Sequence, residues 1–515
     1  MKTLVFLLLT TAASLVAQPS PDSVRRAARS YREAHEAAIV RELAELLAIP
    51  NIASDSADIR RNAHHLVAML ERRGVRARLL ESPGSPPAVF GELTVPGATR
   101  TIVYYTHYDG QPVNRAQWST TGGDPWKPTL YDRAASAGGR AIPLPADGQR
   151  VDPEARLYAR SASDDKSPVV AMLAALDAMR AAGIAPSTNL KFFFEGEEEA
   201  GSEHATELLT RHAALLGADL WIFGDGPVHQ SGRAQIVLGV RGSMGLELTT
   251  YGPSRALHSG HYGNWAPNPA LSMARLLASM RDDEGRITIA GFHDDVRALT
   301  PAERRLVRAM PPVDSALRHE LWLGRAESGD TTLLAEAIAR PALNIRGIQV
   351  GGVGAQAANA IPPEARASID FRLVPDQTPA RVRQLVEAHV RRQGWTIVHD
   401  SATAAQRRGT RRLVRLQWEG GYPGVRTPAA HPAARAIGAV LPDAIVVPTL
   451  GGSLPMYHFE HVLRTPLVVV PIVNYDNSQH AANENVRMGN VFEGVETYAL
   501  LFSRLGVVWR GAVVP

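Results

Sequence analysis

Hydrophobic residues first recur at helical spacing near the start of the chain. Across residues 22–47 they fall three or four positions apart, which predicts a long amphipathic helix that Pro50 ends. A second helix is predicted over residues 63–73 and stops at Gly74. Each helix carries one apolar face, which indicates packing against another element.

Further along, hydrophobic residues form short runs that are rich in β-branched and aromatic residues and apolar on both faces. Strands of this type belong to a covered, largely parallel sheet. Residues 167–182 lie between the first two runs and show the spacing of a helix that packs on such a sheet. We therefore predict an α/β fold with a sheet built from residues 101–105, 190–194, 220–223 and 467–473.

The pattern changes between residues 231 and 421, where hydrophobic and polar positions alternate more regularly. Strands are predicted at residues 235–238, 244–251, 345–350 and 367–373, with helices at residues 269–280 and 379–392. Because a buried-type strand and a closing helix at residues 491–505 follow, we interpret this region as an inserted α+β domain. The predicted division is residues 18–230 and 422–515 for the first domain and residues 231–421 for the inserted domain.

The composition sets a size class and excludes one class of partner. A chain of 515 residues, 45% hydrophobic and 21% charged, is expected to form at least two compact units. The net charge is only +4, and the basic residues are scattered and nearly all arginine. We expect no nucleic-acid partner, because few aromatic residues accompany the densest basic group, at positions 407, 408, 411, 412 and 415.

The first residues resemble an export signal. Lys2 precedes an apolar run at residues 4–9 and small residues that end at Ala17, which indicates a cleaved signal peptide over residues 1–17. We therefore expect a periplasmic or secreted protein, with a retained N-terminal anchor as the alternative because Leu15 is unusual near a cleavage site. We expect no membrane span in the mature chain. The chain has no cysteine, which fits an oxidising compartment.

Acidic residues and histidines stand directly after the predicted strands of the first domain. The carboxyl ends of strands in an open α/β sheet are where such folds bind ligands. Alone, each residue has an ordinary explanation, such as a helix cap at Asp164 or a solvated turn at residues 195–199. Together they predict one site, formed by His107, Asp109, Asp164, Glu198, Glu199, Asp225 and His480.

The ligand types of this site indicate metal-dependent hydrolysis. Imidazole and carboxylate ligands without cysteine are typical of catalytic zinc, cobalt or manganese sites rather than of structural zinc sites. Two histidines and three carboxylates suffice for two metal ions if one carboxylate bridges them. Two such ions can share a water, lower its pKa and polarise a carbonyl, and a further carboxylate must then accept the proton of the water.

Several motifs resemble those of a known enzyme family. They are Tyr105-Thr-His107-Tyr-Asp109-Gly, Ser163-Asp164-Asp165-Lys166, Glu195-Gly-Glu-Glu198-Glu199-Ala-Gly, Leu257-His258-Ser-Gly260 and Asn359-Ala-Ile-Pro362. In this order they resemble the di-zinc exopeptidases, a family that includes carnosinase, carboxypeptidase G, acetylornithine deacetylase, succinyl-diaminopimelate desuccinylase and the aminoacylases. The resemblance extends from about Ala38 to the predicted C-terminal helix. It implies a zinc-exopeptidase catalytic domain with an inserted lid and dimerisation domain.

Position by position, the resemblance implies how two zinc ions would be held, with cobalt or manganese as alternatives. His107 and Asp225 would bind one ion. Glu199 and His480 would bind the other, and Asp164 would bridge them.

The resemblance also assigns the residues around the metal ions. Glu198 would be the general base. Asp109 would accept a hydrogen bond from the ring of His107 and fix its tautomer. The peptide bond between Asp164 and Asp165 would be cis.

The inserted domain and a glycine-rich turn would complete the site. The resemblance implies that His258 reaches the active site of the partner subunit and stabilises the tetrahedral oxyanion, helped by Asn359. The protein would then be a homodimer through the inserted domain. Arg372 would bind the free carboxylate of the substrate, since a guanidinium matches a carboxylate. Backbone N–H groups would assist it from Gly451, Gly452 and Ser453.

These residues predict an exported metallo-exopeptidase that removes the terminal residue of a small peptide, as a dipeptidase or a carboxypeptidase. An N-acyl amino acid amidohydrolase is the alternative enzyme, because it would use the same metals, base and carboxylate grip. A non-catalytic dimeric binding module is the alternative from another class. It would be expected to lack a ligand or the base, whereas all five ligand positions and Glu198 are present.

Overall fold

The computed structural model describes residues 19–329 and 331–509, so the predicted signal peptide lies outside the described residues. The helices within these ranges are α1 (Pro21–Leu47), α2 (Ser56–Glu71), α3 (Lys166–Ala181), α4 (Ala205–Arg211), α5 (Ala213–Leu216), α6 (Ser259–Tyr262), α7 (Pro269–Ala278), α8 (Pro301–Ala309), α9 (Asp314–Glu320), α10 (Leu334–Ile338), α11 (Pro379–Arg392), α12 (Ala404–Gly409), α13 (Pro432–Val440), α14 (Met456–Leu463) and α15 (Met488–Val508). None of these helices is both long enough and apolar enough to cross a membrane.

The strands of the described chain are β1 (Arg76–Leu80), β2 (Ala88–Leu93), β3 (Thr101–His107), β4 (Thr129–Tyr131), β5 (Ala141–Ile142), β6 (Arg156–Tyr158), β7 (Asn189–Glu195), β8 (Leu220–Phe223), β9 (Gln235–Val237), β10 (Gly239–Val240), β11 (Gly242–Tyr251), β12 (Leu257–His258), β13 (Ala342–Gln349), β14 (Ala360–Ile361), β15 (Glu364–Leu373), β16 (Thr396–Val398), β17 (Leu413–Tyr422), β18 (Val425–Arg426), β19 (Ile445–Val447), β20 (Leu467–Val469) and β21 (Asn485–Arg487).

An eight-stranded sheet forms the centre of the larger unit, in the order β1-β2-β7-β3-β8-β20-β9-β19. The strands β7, β3, β8 and β20 are parallel neighbours, whereas β2 pairs antiparallel with β7 and β9 pairs antiparallel with β20. Both faces are covered, because Tyr104 of β3 contacts one hydrophobic core and Tyr105 contacts the other. The predicted α/β fold is confirmed, with a sheet that is mixed rather than largely parallel.

Helices α1, α3 and α15 pack against one another on one face of this sheet, and α4 packs with α14 on the other. Helix α3 begins directly after the Asp164-Asp165 peptide, which is cis as the resemblance implied. The buried Lys166 donates hydrogen bonds to the Leu46 carbonyl at 3.0 Å and to the Asn62 side chain at 2.7 Å. These bonds attach the start of α3, and with it Asp164, to the first two helices.

A five-stranded sheet, β13-β15-β11-β17-β16, forms the smaller unit. Alternate residues of β11, such as Leu246 and Leu248, enter a separate core with α7 and α11. The chain enters this unit through β10 and leaves it through β18, and the two crossings pair antiparallel. The exact boundaries of the inserted domain stay a prediction.

Two predicted elements differ from the structure. The strand predicted at residues 235–238 within the inserted domain lies instead in the eight-stranded sheet, as β9 between β20 and β19. Its partners come from far along the chain, so its local pattern does not identify its sheet. The helix predicted to start at residue 63 starts at Ser56, because the Asp55 side chain accepts hydrogen bonds from the N–H groups of Ala57 and Asp58.

Candidate metal centre

Parallel strands that end at one edge of the eight-stranded sheet bring the candidate residues together. β3 ends at His107, β7 at Glu195 and β8 at Phe223, and the register places His107 opposite Glu195. The acidic residues follow in the loops after these strands. Asp164 comes from the start of α3, in the neighbouring layer. The site therefore lies where α/β sheets commonly bind ligands.

One group of candidate ligands consists of His107, Asp164 and Asp225, all of which are buried. Nε2 of His107 lies 2.9 Å from Oδ1 of Asp164 and 3.6 Å from Oδ2 of Asp225. Zinc binds nitrogen and oxygen ligands at about 2 Å, so atoms at this spacing can share one ion.

A second group consists of Asp164, Glu199 and the half-exposed His480. Nε2 of His480 lies 3.1 Å from Oδ2 of Asp164 and 3.2 Å from Oε2 of Glu199. Gln111, which was not predicted, donates a hydrogen bond to Oε2 of Glu199 at 2.7 Å. Asp164 is the residue common to both groups, with one carboxylate oxygen near each histidine.

The electrostatics of this cluster favour a bound cation. Burial raises the pKa of Asp225 to about 7 and that of Glu199 to about 8, and in both cases the charge of Asp164 adds to the effect. Burial also raises the pKa of Glu198 well above its usual range. The hydrogen bond to Asp164 raises the pKa of His480 to about 9. Carboxylates packed this closely away from water repel one another, so their ionised forms need positive charge between them.

Asp109 is fully buried behind His107. Its Oδ1 lies 3.4 Å from Nδ1 of His107. Its two carboxylate oxygens also accept hydrogen bonds from the backbone N–H groups of Glu198 and Glu199, at 3.1 and 2.9 Å. Asp109 therefore positions both a ring of the first group and the loop that carries the predicted base.

Glu484 is a residue of the site that the sequence reasoning missed. Its buried carboxylate accepts hydrogen bonds from the backbone N–H groups of Ser161, Ser163 and Asp164, at 3.0, 2.9 and 2.9 Å, and from Arg160 at 2.7 Å. These bonds hold the loop that ends at Asp164. The available signal was an acidic residue four positions after His480, in the same loop.

Replacing Glu484 by glutamine is expected to lower the free energy of unfolding by about 3–5 kcal/mol, since it removes one partner of a buried ion pair with Arg160. Metal affinity is expected to fall as well, because the loop before Asp164 loses its acceptor. Urea unfolding and competition with a metal-binding dye measure the two effects. The matched control is Glu71→Gln, at an exposed position. Unchanged metal affinity in a destabilised variant would show that Glu484 does not position Asp164.

The predicted carboxylate-binding residues lie together in the structure. Nη1 of Arg372 donates to Oγ of Ser453 at 2.8 Å, and its Nε donates to Asp370 at 3.0 Å. Burial raises the pKa of the Tyr422 hydroxyl; the charge of Glu198 raises it further and that of Arg372 opposes this rise. In the sheet of the smaller unit, Tyr422 and Arg372 both pair with Ser243 of β11, one from each side.

Arg241, directly after the crossing strand β10, was not predicted. Its Nε donates to the Gly451 carbonyl at 2.9 Å, and its backbone N–H donates to the Gly452 carbonyl at 3.2 Å. Burial lowers the pKa of Arg241 to about 10, and the charge of Arg372 adds to the effect. Two guanidinium groups thus flank the glycine turn, an arrangement that suits an anion.

His258 and Asn359 lie elsewhere in the chain, on the inserted unit. Both are exposed, and the Asn359 carbonyl accepts a hydrogen bond from the Ser259 N–H at 2.8 Å. Nδ1 of His258 accepts a hydrogen bond from the Gly260 N–H at 3.1 Å. Within residues 19–329 and 331–509, no hydrogen bond or ion pair joins either residue to the metal-ligand groups of the same chain.

Comparisons with known proteins agree on the class of this fold. Residues 238–394 match the model of a peptidase dimerisation domain. The chain is 25% identical over 451 residues to the Cys-Gly metallodipeptidase dug1 of Schizosaccharomyces pombe, covering 86% of this chain and 88% of that protein. It is 25% identical over 531 residues to the Beta-Ala-His dipeptidase of Homo sapiens, covering 97% and 96%.

A solved structure extends the likeness to three dimensions. The M20 family metallo-carboxypeptidase Sso-CP2 from Sulfolobus solfataricus superposes with a TM-score of 0.72 and 27% sequence identity. The superposition covers 91% of this chain and 99% of that one. Both units of the fold are therefore shared with this carboxypeptidase.

The prediction of a periplasmic or secreted protein is wrong. The Cys-Gly metallodipeptidases among its relatives are intracellular dipeptidases. The segment that suggested export lies outside residues 19–329 and 331–509. A lysine, a short apolar run and small residues form a pattern of few residues, so the pattern also occurs by chance in chains that are not exported.

Proposed function

Because the chain belongs to the M20 peptidase family and is a metallopeptidase, we propose that it removes the terminal residue of small peptides, as a dipeptidase or a carboxypeptidase. The observation that carries this proposal is the pair of ligand groups that share Asp164. A shared carboxylate suits two adjacent divalent cations, and such pairs serve hydrolysis. The earlier alternative of a non-catalytic binding module no longer applies to a chain of this family.

His107 and Asp225 would hold one cation, Glu199 and His480 the other, and Asp164 both. The nitrogen and oxygen donors favour zinc, with cobalt or manganese as alternatives. When bound, the two cations supply Lewis-acid polarisation of the scissile carbonyl and activation of water. The ligands fit this role, because buried carboxylates packed this closely repel one another when ionised and are stabilised by cations bound between them.

Glu198 is the proposed general base. Its Oε2 lies 4.0 Å from Nε2 of His107, and Asp109 holds its backbone N–H. The carboxylate would take a proton from the attacking water and deliver it to the leaving nitrogen as the C–N bond breaks. Burial raises the pKa of Glu198 above its usual range, and a shift in this direction favours a carboxylate that both accepts and returns a proton.

The free carboxylate of the substrate is proposed to bind at the glycine turn. Arg372 and Arg241 supply two cationic groups, and the backbone of Gly451, Gly452 and Ser453 lies between them. Binding at this point would place the terminal peptide bond toward the metal centre, which explains cleavage at the end of a chain. It would also reject substrates whose terminal carboxylate is blocked.

The inserted domain is proposed to form a homodimer in which His258 and Asn359 complete the site of the partner subunit. The match to a peptidase dimerisation domain supports the dimer. The exposed positions of both residues, away from the ligands of their own chain, support a role across the interface.

A mixed dimer tests this role of His258. We expect His258→Ala and Glu198→Gln each to be nearly inactive, whereas a dimer of one chain of each, isolated with two affinity tags, recovers about half the wild-type activity. One of its two sites then combines an intact Glu198 with His258 of the partner subunit. The matched control is His319→Ala, an exposed histidine of α9. An inactive mixed dimer would place His258 in its own subunit's site, and a His258→Ala homodimer with wild-type activity would place His258 outside catalysis.

A substrate panel distinguishes the proposed peptidase from an N-acyl amino acid amidohydrolase. Release of free amino acids is measured from dipeptides, tripeptides and N-acyl amino acids with zinc-, cobalt- or manganese-loaded protein. Turnover of dipeptides alone would indicate a dipeptidase, and removal of the C-terminal residue of tripeptides would indicate a carboxypeptidase. Turnover of only the N-acyl compounds would contradict the proposal and favour the amidohydrolase.

A further inference from the structure

A cavity of about 290 Å³ lies between the α8–α10 segment and the end of the eight-stranded sheet. Its walls include Val307 of α8, Ile338 of α10 and Val447 of β19, together with Pro227 and Leu450. Its size is close to the lower end of small-ligand pockets, which hold about 300–1,000 Å³. It lies outside the metal-ligand groups described above.

The interior of this cavity is apolar in character. Among the polar residues on its wall, two form hydrogen bonds with the backbone of neighbouring wall residues. Oδ1 of Asp314 accepts a hydrogen bond from the Leu334 N–H at 2.6 Å, and the Gln235 amide donates to the Pro227 carbonyl at 2.7 Å. An occupant would therefore gain mostly from burying apolar surface.

The cavity adjoins the proposed carboxylate site at Gly451. A Cβ placed on Gly451 would lie 3.1 Å from Cδ1 of Ile338, a wall of the cavity, and 3.7 Å from Nη2 of Arg241. Gly451 therefore lies between the guanidinium group of Arg241 and the apolar side chain of Ile338.

The cavity also adjoins the loop of a metal ligand. A Cβ placed on Gly226, which follows Asp225, would lie 3.6 Å from Cδ2 of Leu450, and Pro227 is a wall residue. The space therefore lies beside both the proposed carboxylate grip and the metal centre.

We propose that this cavity receives the side chain of the substrate's C-terminal residue, so that the enzyme prefers peptides that end in a large apolar or aromatic residue. The inference rests on the proposed function, because it takes the carboxylate of that residue to bind at Arg372 and Arg241. With the carboxylate at the glycine turn, the neighbouring side chain has the cavity directly beside it.

The test is a series of dipeptides with a constant first residue and glycine, alanine, leucine, phenylalanine or aspartate at the C-terminus. We expect kcat/KM for the leucine and phenylalanine members to exceed that for the glycine member by about 10- to 200-fold. Ala335→Trp, which fills the cavity from α10, is expected to abolish this preference and leave the glycine member unchanged. The matched control is Ala302→Trp, at an exposed position of α8.

A second variant covers the case in which Ala335→Trp does not fold. Leu334→Lys, at a 41% exposed position on the cavity wall, is expected to lower turnover of the leucine member and to raise that of the aspartate member. Equal kcat/KM across the series in the unmodified enzyme, or an equal loss for every member in both variants, would overturn the inference.

Calorimetric titration of the metal-loaded protein with free glycine and free leucine measures binding at the cavity independently of catalysis. Tighter binding of leucine by about 10-fold or more supports the inference even if no dipeptide is cleaved, a result that would contradict only the proposed function. Equal affinities for the two amino acids would overturn the inference even if dipeptides are cleaved.

Discussion

Glu198→Gln is expected to lower kcat for dipeptide hydrolysis by about 10²- to 10⁴-fold, the usual contribution of a general base. The amide has the size of the carboxylate but cannot accept a proton from water. Glu198 belongs to neither ligand group, so the variant is expected to keep its metal content. Single-turnover kinetics and metal analysis of the same preparation measure the two quantities.

Glu207→Gln serves as the control, because it changes the same residue type at an exposed position of α4. It is expected to leave both quantities unchanged. If Glu198→Gln retained wild-type kcat, the base would have to be another group. If it lost metal together with activity, Glu198 would be a ligand and not the base.

Asp164→Asn is expected to reduce the affinity for both metal ions and to lower activity by more than about 100-fold. Removing a residue that only hydrogen-bonds to a metal ligand lowers metal affinity or activity by up to about 100-fold. The effect is expected to be larger here, because Asp164 is itself a ligand shared by both groups. The two carboxylate oxygens of Asp164 lie one beside His107 and one beside His480. An amide has a single oxygen, so it cannot supply a ligand atom to both groups.

Atomic absorption after dialysis against a weak chelator measures the loss of metal from this variant. Asp283→Asn, at an exposed position, is the matched control and is expected to retain the wild-type content. Removal of one metal ion alone would assign Asp164 to a single group. Two retained metal ions would contradict its proposed place in both.

Local patterns in the sequence were enough to predict the α/β class and the place of the site. Strands such as β3 and β8 are apolar on both faces because helices cover both sides of their sheet, and this requirement is visible in a short window. His107 and Asp225 lie just beyond the strands predicted at residues 101–105 and 220–223, so the two were expected at one edge. The motif resemblance added the cis peptide before α3, which the structure contains.

The tertiary structure decided the features that depend on contacts between distant segments. Glu484 reaches Asp164 across 320 positions of the chain, and Arg241 reaches Gly451 across 210. Arg241 has no local pattern that distinguishes it from a surface charge, and Glu484 has only its place four positions after His480. The place of β9 in the larger sheet and the cavity beside α8–α10 likewise depend on contacts between distant segments.

The sequence by itself therefore determined which residues could serve as ligands and base, because side-chain chemistry and strand burial are properties of short segments. The folded chain alone decided which residues hold Asp164 in place and which surfaces lie beside the glycine turn. Hydrogen bonds and cavity walls of this kind exist only when segments far apart in sequence pack together, and a linear pattern carries no record of that packing.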